Sequence, residues 1–230
     1  VTMVDECTFF EQTFEQVPVE RIKGGWFFAA KVGQHRPIDT FLKRLVDLCL
    51  ASMGIALTAP LFPLVWLAVK LTSKGPAIYS QTRCGRFGRP FKIYKFRTMR
   101  ADAESGSKAL WATPKDPRVT SIGRFLRKTR LDEIPQFWNI LKGDMSFVGP
   151  RPERPALIEE IEKNVPYFAF RHWMQPGLTG LAQIRFPYGA SIDDARTKLQ
   201  HDLYYAKNFN ILLDLQIILR TITAVMKGSR

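Results

Sequence analysis

Only three cysteines, Cys7, Cys49 and Cys84, occur in the 230 residues, an odd number at wide spacings. They suit neither a disulfide framework nor a zinc site, and a reducing compartment is the default expectation. Acidic residues are scarce as well, 21 against 34 Lys and Arg, for a net charge of +13. The expected partners are therefore anionic: nucleic acid, anionic lipid or phosphorylated small molecules. No internal repeat or low-complexity tract is present, and a hydrophobic content of 46% excludes a disordered polymer. No cleavable signal peptide is visible, because the only long apolar run lies well inside the chain and lacks a small-residue cleavage site. Gly85 and Gly88 match neither the dinucleotide fingerprint nor the P-loop, so they read as turn glycines.

The length suits one sizeable domain with a short appendage. The chain begins at Val1, and residues 1–37 read as a linker or the tail of an upstream region. Within them, Gly24-Gly25 is a break, and Gly25-Trp26-Phe27-Phe28 fits a short strand or an interfacial anchor. Leu48 to Val69 carries no charge over 22 positions, long enough for a membrane helix. Pro60 and Pro63 sit near its middle, and basic residues flank both ends: Lys43 and Arg44 before it, Lys70 and Lys74 after it. A simple span places its Lys and Arg excess on one side only. A helix broken at Pro60 that enters one leaflet and returns satisfies both ends, with the Thr58 or Ser52 hydroxyl available to freed carbonyls. A kinked core helix and an ordinary kinked span stay open as alternatives.

Further on, Ala77–Gln81 and Phe91–Phe96 alternate as strands around a turn-rich stretch, Cys84 to Pro90, which predicts a β-hairpin. Helices dominate after that. Ser121 is expected to cap a basic amphipathic helix with Ile122, Phe125 and Leu126 on its apolar side. Pro155 opens another, and Ser191 with Asp193 and Asp194 starts a third that runs towards Lys207. The apolar stretch Ile211–Met226 is expected to pack on the core or lie in an interface. The fold class is α+β, predominantly α.

The run Arg127-Lys128-Thr129-Arg130-Leu131-Asp132-Glu133-Ile134-Pro135 concentrates the chemistry. Pro135 belongs in the first turn of a helix, which places Asp132 at or near its N-cap and Glu133 just inside. There the backbone amides and the helix dipole favour ionised carboxylates. Arg127 and Arg130 are close enough in sequence to hold phosphate oxygens. An ionised Asp beside a bound phosphate can attack phosphorus, and a neighbouring carboxylate can hold a divalent metal that screens the charge. Alone, however, an Asp at a helix start is more often a cap. Arg151, between Pro150 and Pro152, adds a preorganised guanidinium, and Lys95 and Arg97 add two cations at the end of the second strand.

Several motifs occur together and in order: Lys43-Arg44 with Asp47, the proline-broken apolar segment, Tyr94-Lys95-Phe96-Arg97-Thr98-Met99, and Leu131-Asp132-Glu133. Leu141-Lys142-Gly143-Asp144-Met145-Ser146-Phe147-Val148-Gly149-Pro150-Arg151-Pro152 follows, then Pro176-Gly177-Leu178-Thr179-Gly180 with Ala182-Gln183, and Asp202-Leu203-Tyr204-Tyr205. Over residues 38–230 the chain resembles the bacterial sugar transferase family, the monotopic polyprenyl-phosphate phosphoglycosyl transferases. The resemblance implies a re-entrant membrane helix over 38–75 and a catalytic domain with interfacial helices over 76–230, on the cytoplasmic face of a bacterial inner membrane. It implies transfer of a sugar-1-phosphate from a UDP-sugar to undecaprenyl phosphate, Mg²⁺ dependence and a role in starting exopolysaccharide, capsule or O-antigen type glycans. By that resemblance Asp132 is the nucleophile, Glu133 assists with the metal, and Arg127, Arg151, Lys95 and Arg97 face substrate phosphate. The family's helix-breaking pair is often Ser-Pro, whereas here it is Ala59-Pro60, so the hydroxyl is missing at the bend. The phospholipid membrane is the expected surface partner, homo-oligomers are left open, and nucleic acid is not expected.

Two rival readings follow from composition. A basic nucleic-acid-binding module accounts for the charge but has no use for a proline-broken apolar segment. The other is a non-catalytic membrane scaffold, which activity in detergent-purified protein would exclude.

Overall fold

Two prolines set the course of the apolar segment. The structure, a computed structural model, describes residues 6–22, 26–30, 36–100, 103, 116–186 and 191–226. Helices α1 (Glu6–Phe14) and α2 (Trp26–Ala29) precede α3 (Pro37–Thr58) and α4 (Leu61–Thr72). The axis bends by 65° between α3 and α4, at Ala59-Pro60. Pro60 has no amide hydrogen for the Ala56 carbonyl, so α3 ends there. Pro60 then caps α4, and Pro63 falls in its first turn, where a missing amide hydrogen leaves no intrahelical bond unmade. One proline breaks the helix and the other starts the next. The Thr58 hydroxyl donates to the Gly54 carbonyl at 2.7 Å, a back-bond of the kind that bends helices, rather than to a carbonyl freed by proline. Among the described residues no single helix is long and apolar enough to cross a membrane, but α3 and α4 together are, by length and composition.

Strands β1 (Ile78–Cys84) and β2 (Pro90–Phe96) form the expected antiparallel hairpin, from Ile78 opposite Phe96 to Cys84 opposite Pro90. Helix α5 (Ser121–Thr129) begins one residue earlier than the serine suggested. Thr120 is its cap, accepting the Gly123 amide at 2.9 Å, and Ser121 is the first helical residue. Then come α6 (Gln136–Lys142), β3 (Ser146–Val148), α7 (Pro155–Glu162), β4 (Gly177–Thr179), α8 (Leu181–Arg185), α9 (Ile192–Asn208) and α10 (Ile211–Met226). Ser191 caps α9 in a full capping box with Asp194, as its sequence foretold. The described residues are mostly helical, 63%, which agrees with a predominantly α class.

β3 and β4 pair in parallel, Ser146 with Gly177 and Val148 with Thr179. Three-residue strands carry no alternation to read, so nothing local announced them. The pairing needs glycine: a Cβ on Gly177 would stand 2.1 Å from the Gly149 amide nitrogen.

The main core gathers Leu157, Phe168, Leu181, Leu199 and Leu203 with Val17 and Val19. The stretch read as a linker or an upstream tail thus carries α1 and α2 and supplies core residues. Trp26-Phe27 is helical rather than extended, and Phe27 is buried with its ring stacked on Phe170 at 3.7 Å between centroids. Gly24 and Gly25 lie outside the described residues. Two smaller clusters seat the catalytic candidates: Val65, Phe96, Leu126 and Ile134 join α4, β2 and α5, while Ala51, Ile93 and Ile140 join α3, β2 and α6.

Candidate active site

Arg130 makes the turn that presents the two carboxylates. It sits in the left-handed region at φ 60°, unusual for a residue with a Cβ, and closes α5 while opening a 3-10 turn, Leu131–Glu133. Asp132 and Glu133 lie on this turn. Pro135, expected inside the following helix, is instead its N-cap, so the carboxylates stand one turn before α6 and not at its amides.

Glu133 is ringed by cations. Lys95 Nζ approaches Glu133 Oε1 at 2.9 Å, Arg130 Nη1 lies 3.9 Å from Oε2, and Arg151 Nη2 lies 4.0 Å from Oε1. These charges outweigh the burial that opposes ionisation and hold the Glu133 carboxyl down at about 2. Asp132 is treated differently. It is 7% exposed, and its Oδ1 is buried with no hydrogen-bond partner. Burial, and then the charge of Glu133 beside it, push its carboxyl up to about 6 against the pull of Lys95, Arg127 and Arg130. Two adjacent acids are thus pushed in opposite directions, Glu133 towards its ionised form and Asp132 towards its neutral one. Helix-terminus amides, the expected source of ionisation, play no part in this.

The remaining candidates divide. Arg127 is held by its Nε donating to Thr98 Oγ1 at 2.9 Å, and its charge acts on Asp132. Gly123 makes that contact possible, since a Cβ there would lie 2.0 Å from the Thr98 carbonyl oxygen and push α5 away. Arg151 donates Nη1 to Gln183 Oε1 at 3.1 Å, on α8. Arg97 does not join the carboxylates: its Nη2 donates to the Ser73 carbonyl at 2.7 Å and ties β2 to the end of α4. There it backs the wall of an open cleft of about 590 Å³ lined by Ser73, Lys74, Arg100 and Ser121, which includes neither Asp132 nor Glu133. Lys95, Arg127, Arg130 and Arg151 together exceed the two carboxylates in charge, so the site is built to receive an anion.

Three polar residues escaped the sequence reading, two of them inside its motifs. Thr98 orients Arg127, Gln183 orients Arg151, and Gln136 is buried with its Nε2 unpaired four residues after Asp132. The only signal for Thr98 and Gln183 was membership of the ordered blocks, and Gln136 lies outside them.

A divalent cation shared with phosphate needs one or two protein carboxylates. Asp132, with its unpartnered oxygen, and Glu133 beside it match that need. Among the described residues no group of three or more His, Cys, Asp or Glu could hold an ion by itself.

Residues 38–228 match the family described as bacterial sugar transferase. Among curated proteins, the chain is 43% identical over 192 residues to a UDP-N-acetylgalactosamine-undecaprenyl-phosphate N-acetylgalactosaminephosphotransferase of Aeromonas hydrophila, covering 84% of this chain and 45% of the relative. It is 42% identical over 187 residues to a UDP-glucose:undecaprenyl-phosphate glucose-1-phosphate transferase of Klebsiella pneumoniae, covering 80% and 40%. An exopolysaccharide production protein of Rhizobium leguminosarum is 40% identical over 195 residues, covering 81% of this chain and 96% of that protein. The chain spans less than half the length of the first two.

Proposed function

The chain belongs to the bacterial sugar transferase family, and on that premise we propose that it transfers a sugar-1-phosphate from a UDP-sugar to undecaprenyl phosphate. The observation that carries the mechanism is the buried, unpartnered Oδ1 of Asp132 on a turn faced by four cations. A carboxylate oxygen of Asp132 attacks the sugar-bearing phosphorus. The bond from that phosphorus to the bridging oxygen breaks, and UMP leaves with the electron pair. An oxygen of undecaprenyl phosphate then attacks the same phosphorus, the acyl-phosphate bond breaks, and the carboxylate is restored. No proton is gained or lost overall. Arg127 and Arg151 hold phosphoryl oxygens, and Lys95 keeps Glu133 ionised beside the nucleophile. Mg²⁺, when bound by Asp132 and Glu133, screens the charge of the diphosphate.

The outward apolar faces of α3, α4 and α10 support a re-entrant α3–α4 hairpin seated in the cytoplasmic face of the bacterial inner membrane, where undecaprenyl phosphate is met. Two relatives at nearly equal identity carry different sugars, so identity does not select the sugar. The test follows the nucleotide. Purified protein given UDP-sugars and undecaprenyl phosphate should release UMP, and Asp132→Asn should lower turnover by at least a thousandfold. Release of UDP, or turnover retained by Asp132→Asn, would refute the covalent route.

A further inference from the structure

The open cleft between the end of α4 and the start of α5 has no part in the mechanism. Ser73 and Lys74 form one wall, Thr120 and Ser121 the other, and Arg100 lies with them. α5 brings its amino end to this cleft. Thr120 takes the Gly123 amide, while the amides of Ser121 and Ile122 have no acceptor within the helix. Together with the helix dipole they favour a negative charge beside them.

The side chains agree in sign. Arg97 is 7% exposed and uses one nitrogen, Nη2, on the Ser73 carbonyl at 2.7 Å. Its Nε and Nη1 are buried with no partner. Burial alone lowers its guanidinium, and no carboxylate among the described residues acts on it. A residue that only capped α4 would need that one bond, whereas a buried guanidinium without a counter-charge is costly. Lys74, exposed on the same wall, adds a second charge. Arg100 is engaged already and is not counted. Its amide donates to the Arg118 carbonyl, which brings Asp116 to the same end of α5. There Arg118 holds both oxygens of Asp116, at 2.8 and 2.6 Å, so that acid does not answer Arg97.

The neighbouring surface selects the anion. Leu64, Leu67 and Leu71 are 64%, 50% and 80% exposed, and their spacing of three and four residues sets them on one face of α4. Lys74 follows three residues later, so an apolar stripe ends at a cation. We propose that the cleft binds the phosphate of an anionic membrane phospholipid whose acyl chains lie along this stripe. Lys74 and the first amides of α5 take the phosphate oxygens, and Arg97 supplies the charge behind them. The inference rests on the seat of α3 and α4 in the membrane, which places the end of α4 at the level of the headgroups. Neither Asp132 nor Glu133 lines the cleft. A lipid held there braces the start of α5, whose far end carries Arg127 beside Asp132.

Native mass spectrometry of the full chain in detergent, titrated with dioleoylphosphatidylglycerol, reads the site directly. One tightly held lipid is expected. Lys74→Met should raise its Kd about tenfold, the loss of one charge-assisted phosphate contact. Ser121→Asp should abolish the binding and leave the Tm equal or higher, because an acid in the first turn of a helix stabilises it while repelling phosphate. Lys70→Met is the control: its ammonium lies over the Trp66 ring at 5.6 Å, and its loss should leave the Kd unchanged. Equal losses in Lys70→Met and Lys74→Met would reduce the effect to surface charge and overturn the site, as would unchanged binding in both Lys74→Met and Ser121→Asp. Inorganic phosphate held as tightly as the lipid would also overturn it, in favour of a soluble anion. Partition of the parent protein into phosphatidylcholine vesicles reads the membrane seat separately. No partition refutes the seat, whereas partition without a held phosphatidylglycerol refutes the cleft site alone.

Discussion

Helices α9 and α3 face the protein with opposite chemistry. α9 turns Ala195, Leu199, Leu203 and Ala206 inward, as a helix in water does. α3 turns Lys43, Asp47 and Ala51 inward and leaves Phe41, Leu45, Met53 and Leu57 outside. α4 continues the outward apolar surface, with Leu64 and Leu71 64% and 80% exposed, and α10 repeats it with Leu212, Leu219 and Ile222. Exposed apolar surface on this scale marks a contact with something apolar. The difference teaches how each helix is held. Hydrophobic burial fixes α9. It cannot fix a helix whose apolar side faces outward, and polar anchors do so instead. Asp47 Oδ1 accepts the Ser146 hydroxyl at 3.0 Å and the Phe147 amide at 2.8 Å. Lys43 Nζ meets Asp214 of α10 at 2.6 Å and the Val148 carbonyl at 2.8 Å, while Tyr205 donates to Asp214 at 2.6 Å.

Removing the anchor should break the comparison most severely. Lys43→Ala leaves Asp214 buried without its cation, which costs about 3–5 kcal/mol. Denaturant melts of detergent-purified protein should show that loss, and Lys43→Ala combined with Asp214→Ala should cost less than the two singly. A loss below about 1 kcal/mol would mean that something other than the ion pair seats α3 against α10.

The next effect sharpens the contrast between inner and outer leucines. Leu199→Ala opens a cavity and should cost about 2–5 kcal/mol. Leu64→Ala should cost under about 0.5 kcal/mol in detergent, yet weaken partition into lipid vesicles about tenfold. Equal destabilisation by the two substitutions would show that the outer face of α4 packs on protein, and the comparison would collapse.

How much of this was legible depended on how local each cause is. Pro60 acts on its own neighbours, so the break was readable; so were the hairpin, from alternation and turn residues, and the Ser191 cap. The inward polarity of α3 was written in the spacing of Lys43 and Asp47, four residues apart, but which face turned inward depended on Asp214, far along the chain. The β3–β4 pair was unreadable because its order comes from the contact of Gly149 with Gly177, far along the chain. At the site, the motif blocks marked Asp132, Glu133, Arg127, Lys95 and Arg151, and the structure brings these together. The left-handed backbone of Arg130 has no sequence signal, and it is what moved the carboxylates off the helix terminus. Arg97 was grouped with Lys95 by proximity in sequence, yet it faces the end of α4 because β2 ends between them.

The smallest effect separates the buried carboxylates themselves. Asp47 and Asp214 are partnered, whereas Asp132 keeps an oxygen without a partner. Burial, and then Glu133, push its carboxyl up to about 6. Folding therefore favours its neutral form. That contribution is full below the ordinary value of 3.8 and is lost as pH rises through about 6. At pH 8 the ionised carboxylate should therefore strain the fold. Asparagine carries no charge at any pH, so Asp132→Asn should melt a few degrees above the parent protein at pH 8, with the gain vanishing towards pH 4. The same variant should be inactive, which would make Asp132 a residue kept for chemistry at the expense of stability. A variant less stable than its parent at pH 8 would show that Lys95, Arg127 and Arg130 more than offset the burial. Asp132 would then belong with Asp47 and Asp214 as an anchored charge.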